Sequence, residues 1–186
     1  MKRTFDLMMA LGLIILFSMP ICLIALLVKL TSKGPVLYWS DRVGINNTIF
    51  KMPKFRTMQL NTPVVATHLL KNATGYLTPI GGWLRSLSLD ELPQLFSILK
   101  GDISFVGPRP ALYNQDDLIA LRTQKGIHCL TPGLTGWAQI NGRDNLPIPT
   151  KVEYDEYYLK HQSFFFDLKI LMMTPTKVAR AEGVKH

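Results

Sequence analysis

The sequence predicts a mainly helical α+β protein in which an N-terminal membrane helix precedes a small cytosolic domain. The first thirty residues hold a dense apolar block, and the middle of the chain mixes strand-like and helical patterns between Gly and Pro turns. Aromatic and lysine residues cluster in residues 151–180. With 186 residues the chain can form one domain with a core. We therefore assign residues 1–32 to the membrane helix and 33–186 to the domain.

The apolar block predicts the membrane helix. Leu7 to Val28 comprise 22 residues without a charge. At about 1.5 Å per residue, a straight helix of that length reaches roughly 33 Å, close to the hydrocarbon thickness of a bilayer. Pro20 removes one backbone hydrogen bond and favours a bend, and the hydroxyl of Ser18 can bond back to the helix. We expect the helix to break at Ser18 and Pro20.

The charges that flank this helix bear on its topology. Lys2 and Arg3 precede it, whereas Lys29 and Lys33 follow it. Positive residues mark the cytoplasmic side, so the rule is best obeyed if both ends lie on one face. A re-entrant helix and a Pro-kinked spanning helix both remain open at this point.

The central segment predicts a strand pair, a helix and a short strand. The stretch "TSKGPVLYWSDRVG" predicts a turn, a short extended run and another turn, and apolar and basic residues roughly alternate in the "NNTIFKMPKFRTM" that follows. Together these suggest a strand pair, although Pro53 limits its regularity. Residues 92–99 place four apolar side chains on one helix face, and Gly101 ends that helix. The short strand "ISFV" then runs into a rigid "GPRP" loop, and residues 114–126 form a polar helix. The four apolar side chains are Leu92, Leu95, Phe96 and Leu99.

Two later segments have two readings each. The glycines of "TPGLTGWAQING" either let the backbone approach a ligand or form tight structural turns. The aromatic and lysine residues of 151–180 are typical of amphipathic helices that lie in a membrane interface. A core helix packed on the domain explains that second pattern as well.

The net charge of +8 favours an anionic partner: nucleic acid, anionic lipid or a phosphorylated substrate. We predict no nucleic-acid partner, because the sequence lacks a recognisable nucleic-acid motif. A non-catalytic, membrane-anchored basic module that binds anionic lipid or nucleic acid is the alternative to an enzyme. Cys22 and Cys129 form neither a disulfide framework nor a zinc set.

The most informative stretch places two carboxylates, Asp90 and Glu91, just before an apolar helix. Ser88 and Glu91 have the spacing of a capping box, so the acids could be purely structural. The functional reading makes Asp90 a nucleophile and Glu91 a metal ligand, because Mg²⁺ takes one or two carboxylates together with substrate phosphates. Basic residues could then neutralise a diphosphate, since arginine suits bidentate phosphate contacts. The candidates are Lys54, Arg56, Arg109 and Arg143.

Taken together, the motifs resemble the bacterial sugar transferases, the monotopic phosphoglycosyl transferases, in their minimal form. The resemblance runs from about Lys2 to Thr174 and rests on "KFRTM", "LRSLSLDELPQLFSILKGDISFVGPRP", "TPGLTGWAQINGR" and "YDEYYLKHQSFFFDLKIL". It implies transfer of a sugar 1-phosphate from a UDP-sugar to undecaprenyl phosphate, with release of UMP and a requirement for Mg²⁺. It also implies a re-entrant helix in the bacterial cytoplasmic membrane and a catalytic domain on the cytoplasmic face.

The resemblance assigns roles to individual residues. It implies that Asp90 forms a covalent phosphosugar intermediate and that Glu91 takes part in metal binding. It implies substrate contacts for the basic residues of the motifs and a further polar position at Asp167. Small members of the family favour an N-acetylated amino sugar as donor, whereas the actual sugar, the glycan pathway and a homo-oligomeric state stay open.

Two departures from the family pattern concern Pro20 and Thr131. The family has Ser and Pro adjacent, whereas this chain has Ser18-Met19-Pro20, which shifts the expected kink by one residue. The family often has Arg where this chain has Thr131, which removes one positive charge. Neither departure concerns the acid pair.

Overall fold

The structure, a computed structural model, describes residues 1–63, 73–142 and 146–179 and confirms a mainly helical α+β fold. Four short strands lie between helices in the described ranges. The helices are α1 Lys2–Thr31, α2 Gly81–Ser86, α3 Gln94–Lys100, α4 Asp116–Gln124, α5 Trp137–Ile140, α6 Ile148–His161 and α7 Phe164–Ala179. The strands are β1 Leu37–Val43, β2 Ile49–Phe55, β3 Ser104–Val106 and β4 Gly133–Thr135.

Helix α1 is long and apolar enough, by length and composition, to cross a membrane. The helix runs without interruption from Lys2 to Thr31, and Pro20 lies inside it. Ser18 Oγ donates to the carbonyl of Ile15 at 2.8 Å, which confirms that this serine bonds back to the helix. Because Pro20 has no N–H, the carbonyl of Leu16 loses its helical hydrogen bond. Leu16 is 68% exposed, and neighbouring apolar side chains are exposed as well. The bend at Pro20 stays a prediction.

Both ends of α1 are fastened to the same domain. At the N-terminal end, Arg3 donates to the carbonyl of Leu99 at 2.7 Å, and Lys2 donates to the carbonyl of Val106 at 2.8 Å. At the C-terminal end, Arg56 Nη2 donates to the hydroxyl of Ser32 at 2.9 Å. Apolar contacts follow the same pattern, because Ala10 and Val28, near opposite ends, are both fully buried. The helix therefore packs on the domain through its two ends.

Strands β1 and β2 form an antiparallel hairpin, which confirms the predicted strand pair. Trp39 lies opposite Pro53, a tolerated position because the two-stranded sheet leaves outer edges unpaired. The turn between the strands places Asn46 and Asn47 at positive φ, where asparagine is favoured among non-glycine residues. The hairpin carries Lys54, near the end of β2, towards the acid pair.

Strands β3 and β4 form a parallel pair. Their glycines allow backbone to approach backbone. A Cβ added at Gly133 would lie 2.1 Å from the backbone N of Gly107, and one added at Gly136 would lie 2.1 Å from the carbonyl O of Gly107. At these two positions the structure supports the tight-packing reading of the glycines.

Helix α3 ends as predicted, with Gly101 in the left-handed region at φ 101°. Its predicted apolar face is wrong in part. The helix begins at Gln94, after Leu92, and the buried row consists of Leu95 and Ile98, whereas Phe96 is 51% exposed. Burial follows contacts with α1 and β2, which the spacing of apolar residues alone does not specify.

Residues 151–180 were interpreted either as amphipathic helices in a membrane interface or as a core helix, and each of the two C-terminal helices matches one of these interpretations. Helix α6 packs as a core helix, with Val152 and Tyr158 buried. Helix α7 buries Ile170, yet Phe165 and Met172 leave a large apolar surface exposed on it. This exposed surface on α7 suits a membrane interface.

Candidate active site

The acid pair lies in a 3₁₀ turn, Leu89–Glu91, between α2 and α3. The predicted capping box is wrong, because Ser88 makes no side-chain capping bond and Pro93 is the residue that precedes α3. Ser88 also adopts φ 56° and ψ 21°, a left-handed conformation that is costly for a non-glycine residue. The strained turn directs Glu91 towards two cations rather than towards the helix end.

Four predicted residues meet here from three parts of the chain. Glu91 Oε1 accepts hydrogen bonds from Lys54 Nζ at 2.7 Å and from Arg109 Nη2 at 3.0 Å. Asp90 Oδ2 lies 4.0 Å from Lys54 Nζ, an ion-pair distance that is too long for a hydrogen bond. The "KFRTM" strand, the "LDE" turn and the "GPRP" loop thus converge on one partly buried cluster, in which Asp90 is the buried member.

The cluster separates the two carboxyl groups electrostatically. Burial, followed by the charge of Glu91, raises the pKa of Asp90 above its ordinary value, although the charges of Lys54, Arg85 and Arg109 act in the opposite direction. Burial alone would also raise the pKa of Glu91. The charges of Lys54 and Arg109 and their hydrogen bonds outweigh burial there and hold the pKa of Glu91 below its usual range. Glu91 is therefore the anion that the cations neutralise, and Asp90 is the carboxyl nearer to protonation.

The loop that carries Arg109 is clamped through its backbone. Arg122 Nη1 donates to the carbonyl of Arg109 at 2.8 Å, and Arg42 Nη1 donates to the carbonyl of Pro110 at 3.0 Å. Arg122 is fixed in turn by the buried carboxylate of Asp155, with an Nη2–Oδ2 distance of 2.6 Å. These contacts hold the backbone from which the Arg109 guanidinium reaches Glu91.

The remaining predicted residues lie elsewhere. The Arg56 guanidinium, only 5% exposed, donates to Pro35 and Ser32 at the end of α1. Asp167 accepts from Lys2 at 2.7 Å and from the hydroxyl of Tyr158 at 2.6 Å. Arg56 therefore contacts the segment that follows α1, and Asp167 contacts α1 through Lys2, rather than the acid pair. Arg143 lies outside the described residues.

A cavity of about 320 Å³ adjoins the acid cluster. The polar residues that line it are Ser88, Glu91, Arg109, Thr135, Gln139, Thr174 and Lys177. Most of its wall is apolar and comes from α1, the segment after the acid pair, the β3–β4 region and α7. The apolar wall includes Met9, Leu13, Phe17, Leu92, Leu134 and Leu171.

Sequence reasoning missed three residues of this region: Arg85, Arg122 and Gln139. Arg85 contributes charge at Asp90, Arg122 holds the Arg109 carbonyl, and Gln139 lines the cavity. Arg85 stands five residues before Asp90 on the preceding helix, which is a local signal that could have found it. Arg122 and Gln139 reach the site only through tertiary packing.

The carboxylates fit a metal ion that is shared with a substrate. Within the described ranges there is no group of three or more His, Cys, Asp or Glu side chains that could hold a metal. Asp90 and Glu91 offer two carboxylates, and Mg²⁺ commonly uses one or two of them, with phosphate oxygens and water completing its coordination. The donor set suits Mg²⁺ that arrives with a phosphorylated ligand.

Comparison with known proteins finds sugar transferases among the relatives of this chain. The profile of the family described as "Bacterial sugar transferase" matches residues 1–181. An uncharacterised sugar transferase of Bacillus subtilis is 42% identical, over 100% of this chain and 91% of that protein. The UDP-glucose:undecaprenyl-phosphate glucose-1-phosphate transferase of Escherichia coli is 38% identical, over 95% of this chain and 40% of its own length.

A third relative is named for a different sugar. The UDP-N-acetylgalactosamine-undecaprenyl-phosphate N-acetylgalactosaminephosphotransferase of Aeromonas hydrophila is 34% identical, over 99% of this chain and 45% of that protein. The chain thus spans less than half the length of the two relatives with named substrates. The named relatives act on different sugars but share the undecaprenyl phosphate acceptor.

Proposed function

The chain belongs to the bacterial sugar transferase family, and from this premise we propose that it transfers a sugar 1-phosphate from a UDP-sugar to undecaprenyl phosphate and releases UMP. The observation that carries the proposal is the partly buried cluster of Lys54, Asp90, Glu91 and Arg109 beside an apolar cavity that α1 lines. One substrate is a water-soluble diphosphate and the other is a lipid phosphate, and this juxtaposition suits both.

The proposed reaction proceeds by two displacements at one phosphorus atom. An Asp90 carboxylate oxygen attacks the sugar-bearing phosphorus of the donor, and the bond from that phosphorus to the bridging oxygen breaks as UMP leaves. A phosphate oxygen of undecaprenyl phosphate then attacks the same phosphorus. The bond to Asp90 breaks, which regenerates the carboxylate and yields the lipid diphosphosugar. The two substrates therefore need not be bound together.

The neighbouring residues support this division of roles. Glu91 is committed to Lys54 and Arg109, whereas Asp90 accepts no side-chain hydrogen bond from the part of the chain that the structure describes. The Asp90 carboxylate thus keeps lone pairs available for attack. In the proposed complex Lys54 and Arg109 reach the donor phosphates from their positions on Glu91. Mg²⁺ held by the two carboxylates would neutralise charge on the donor diphosphate.

We further propose that α1 is a re-entrant anchor and that the domain lies on the cytoplasmic face of the membrane. The contacts of both α1 ends with one domain support this geometry, as do the basic residues at those ends. The exposed apolar surface of α7 would lie at the interface beside it. An anchor of this kind would keep Asp90 at headgroup level.

We propose an N-acetylated amino sugar as the transferred group, supported by the N-acetylgalactosamine named for the Aeromonas relative. A panel of UDP-sugars assayed for UMP release tests this choice. Faster release from UDP-glucose than from every UDP-N-acetylhexosamine would contradict it, while the transfer reaction itself would stand.

Trapping the covalent intermediate tests the reaction itself. The purified protein is incubated with Mg²⁺ and donor in the absence of lipid phosphate, and its peptides are analysed by mass spectrometry. We expect UMP release of about one equivalent per active protein and a phosphosugar adduct on Asp90. Asp90→Asn should form no adduct, whereas Asp41→Asn, which alters an exposed acid on β1, should form it normally. An adduct on another residue would overturn the assignment.

A further inference from the structure

Gln139 is a buried side chain whose polar atoms are unpaired. The residue is 8% exposed, and neither Nε2 nor Oε1 has a hydrogen-bond partner in the described part of the chain. An unpaired amide in a protein interior costs free energy, because it has given up its hydrogen bonds to water. Since Gln139 lines the cavity beside Glu91 and Arg109, a ligand there could supply the missing partners.

The surrounding structure keeps space for this amide. A Cβ added at Gly136 would lie 2.8 Å from Gln139 Oε1, so a larger residue at position 136 would crowd the side chain. The short helix α5 that carries Gln139 is packed through Trp137, whose ring stacks on Tyr157 at 5.8 Å between centroids. Packing therefore positions the Gln139 side chain, and its hydrogen-bonding groups stay available.

The cavity wall indicates what kind of ligand fits. Leu13 and Phe17 come from one side of α1, Leu92 follows the acid pair, and Leu171 comes from α7. A nucleotide or a sugar enclosed by these side chains would leave hydroxyl and phosphate groups unpaired. An isoprenoid chain has no such groups and matches an apolar wall. Helix α1 also exposes apolar side chains outside the cavity, such as Leu16 at 68%, which suit contact with the lipid that such a chain would come from.

On the basis of the proposed function, we propose that this cavity is the acceptor site and that Gln139 binds the phosphate of a polyprenyl phosphate. The first isoprene units lie between α1 and α7. The phosphate lies at the polar end, near Arg109, where Gln139 Nε2 donates to a phosphate oxygen. Gln139 is then a positioning residue for the attacking phosphate in the second displacement, and it takes no part in the first.

The chemistry of the amide favours a phosphate monoester. A monoester has a second pKa of about 6, so at neutral pH it is mainly a dianion with three terminal oxygens that can accept a hydrogen bond from Nε2. The phosphodiester of an ordinary bilayer lipid has two terminal oxygens and a single negative charge. The site should therefore distinguish undecaprenyl phosphate from the phospholipids that surround it.

Gln139 is proposed to act only in the second displacement, so its substitution should affect that step and leave the first unchanged. We expect Gln139→Leu in lipid nanodiscs to leave the donor-only burst of UMP unchanged in rate and amplitude. Its KM for undecaprenyl phosphate should rise about tenfold or more, which corresponds to loss of a hydrogen bond to a charged group. Gln139→Glu, of similar size, should raise that KM further, because it places a negative charge against the phosphate. Gln124→Leu, on the exposed side of α4, is the matched control.

Two readouts separate this role from a structural one. The melting temperature of Gln139→Leu should equal or exceed that of the wild type, because an unpaired buried amide is replaced by an apolar group of similar size. Without donor, undecaprenyl phosphate should raise the melting temperature of the wild type but not that of Gln139→Leu. Phosphatidylglycerol should not raise it for either protein.

The contrary outcomes are equally specific. An unchanged KM for the lipid, or a slower donor-only burst in Gln139→Leu, would overturn the proposal. Equal stabilisation by phosphatidylglycerol would assign the cavity to bulk lipid and overturn it as well. If the wild type showed no burst at all, the proposed transfer reaction would fail, while the thermal-shift comparison would still decide whether the cavity binds a polyprenyl phosphate.

Discussion

Two buried carboxylate clusters in this protein are built differently. At Asp167 each oxygen has its own donor, Lys2 for Oδ2 and Tyr158 for Oδ1. At the acid pair, two cations converge on a single oxygen of Glu91, whereas the ion pair between Asp90 Oδ2 and Lys54 Nζ spans 4.0 Å. The first arrangement holds elements together, whereas the second leaves a carboxylate with unused lone pairs. If the proposed mechanism is right, pairing thus distinguishes the structural acid Asp167 from the nucleophile Asp90, although both are buried.

Asp90→Asn should produce the largest effect and should split stability from activity. We expect turnover to fall by about a thousandfold or more, since an amide cannot serve as the nucleophile. The melting temperature at pH 8 should rise. Folding raises the pKa of Asp90 above its ordinary 3.8, so the folded state binds this proton more tightly and loses stability as pH rises through the raised value. A variant that kept normal turnover would remove Asp90 from the mechanism.

Asp167→Asn should act in the opposite direction on stability. The amide cannot accept from both Lys2 and Tyr158 as the carboxylate does, so we expect a loss of about 1–3 kcal/mol in the free energy of unfolding. Thermal or denaturant unfolding in a fixed detergent measures it. Tyr158→Phe, which removes one donor, should cost less. Equal melting temperatures for Asp167→Asn and the wild type would show that the two clusters do not differ in this way.

Lys54→Met should shift the pH dependence of activity. Lys54 lowers the pKa of Asp90, so its removal should move the acid limb of kcat/KM to higher pH. In the wild type this limb should already lie above the ordinary range of an aspartate. Lys51→Met, an exposed position on the same strand, should leave the limb in place. A shift towards lower pH would contradict the charge arrangement.

Asp41→Asn should have the smallest effect and so sets the baseline. Asp41 pairs with Lys51 at 3.0 Å, but both side chains are well exposed to solvent. We expect a change below about 1 kcal/mol in stability and unchanged turnover. A larger effect would mean that this exposed ion pair on the hairpin contributes to the site or to the fold.

The sequence alone predicted the elements and most of the acid cluster. The long apolar helix, the hairpin, the end of α3 at Gly101 and the strand before "GPRP" all follow local patterns of hydrophobicity and turn residues. Lys54, Asp90, Glu91 and Arg109 were all candidates because each lies in a motif with its own chemical rationale. The structure brings these four side chains together, and the roles assigned to them stay predictions.

What the sequence did not predict depends on tertiary packing. The spacing of Ser88 and Glu91 indicated a cap, but Glu91 binds two cations that come from distant segments. The substrate contact predicted for Arg56 had no local signal against it, yet its guanidinium is bound to the end of α1. Gln139 is polar in a turn-rich segment and becomes notable only once its burial is known.

The fastening of α1 has a consequence for how the protein is made. Lys2 and its partner Asp167 are 165 positions apart, and Asp6 reaches the backbone of Phe105 across 99 positions. A chain synthesised from its N-terminus exposes the apolar residues of α1 long before Phe105 and Asp167 have left the ribosome. The docking of α1 on the domain therefore cannot be completed until the C-terminal helix that carries Asp167 has been made.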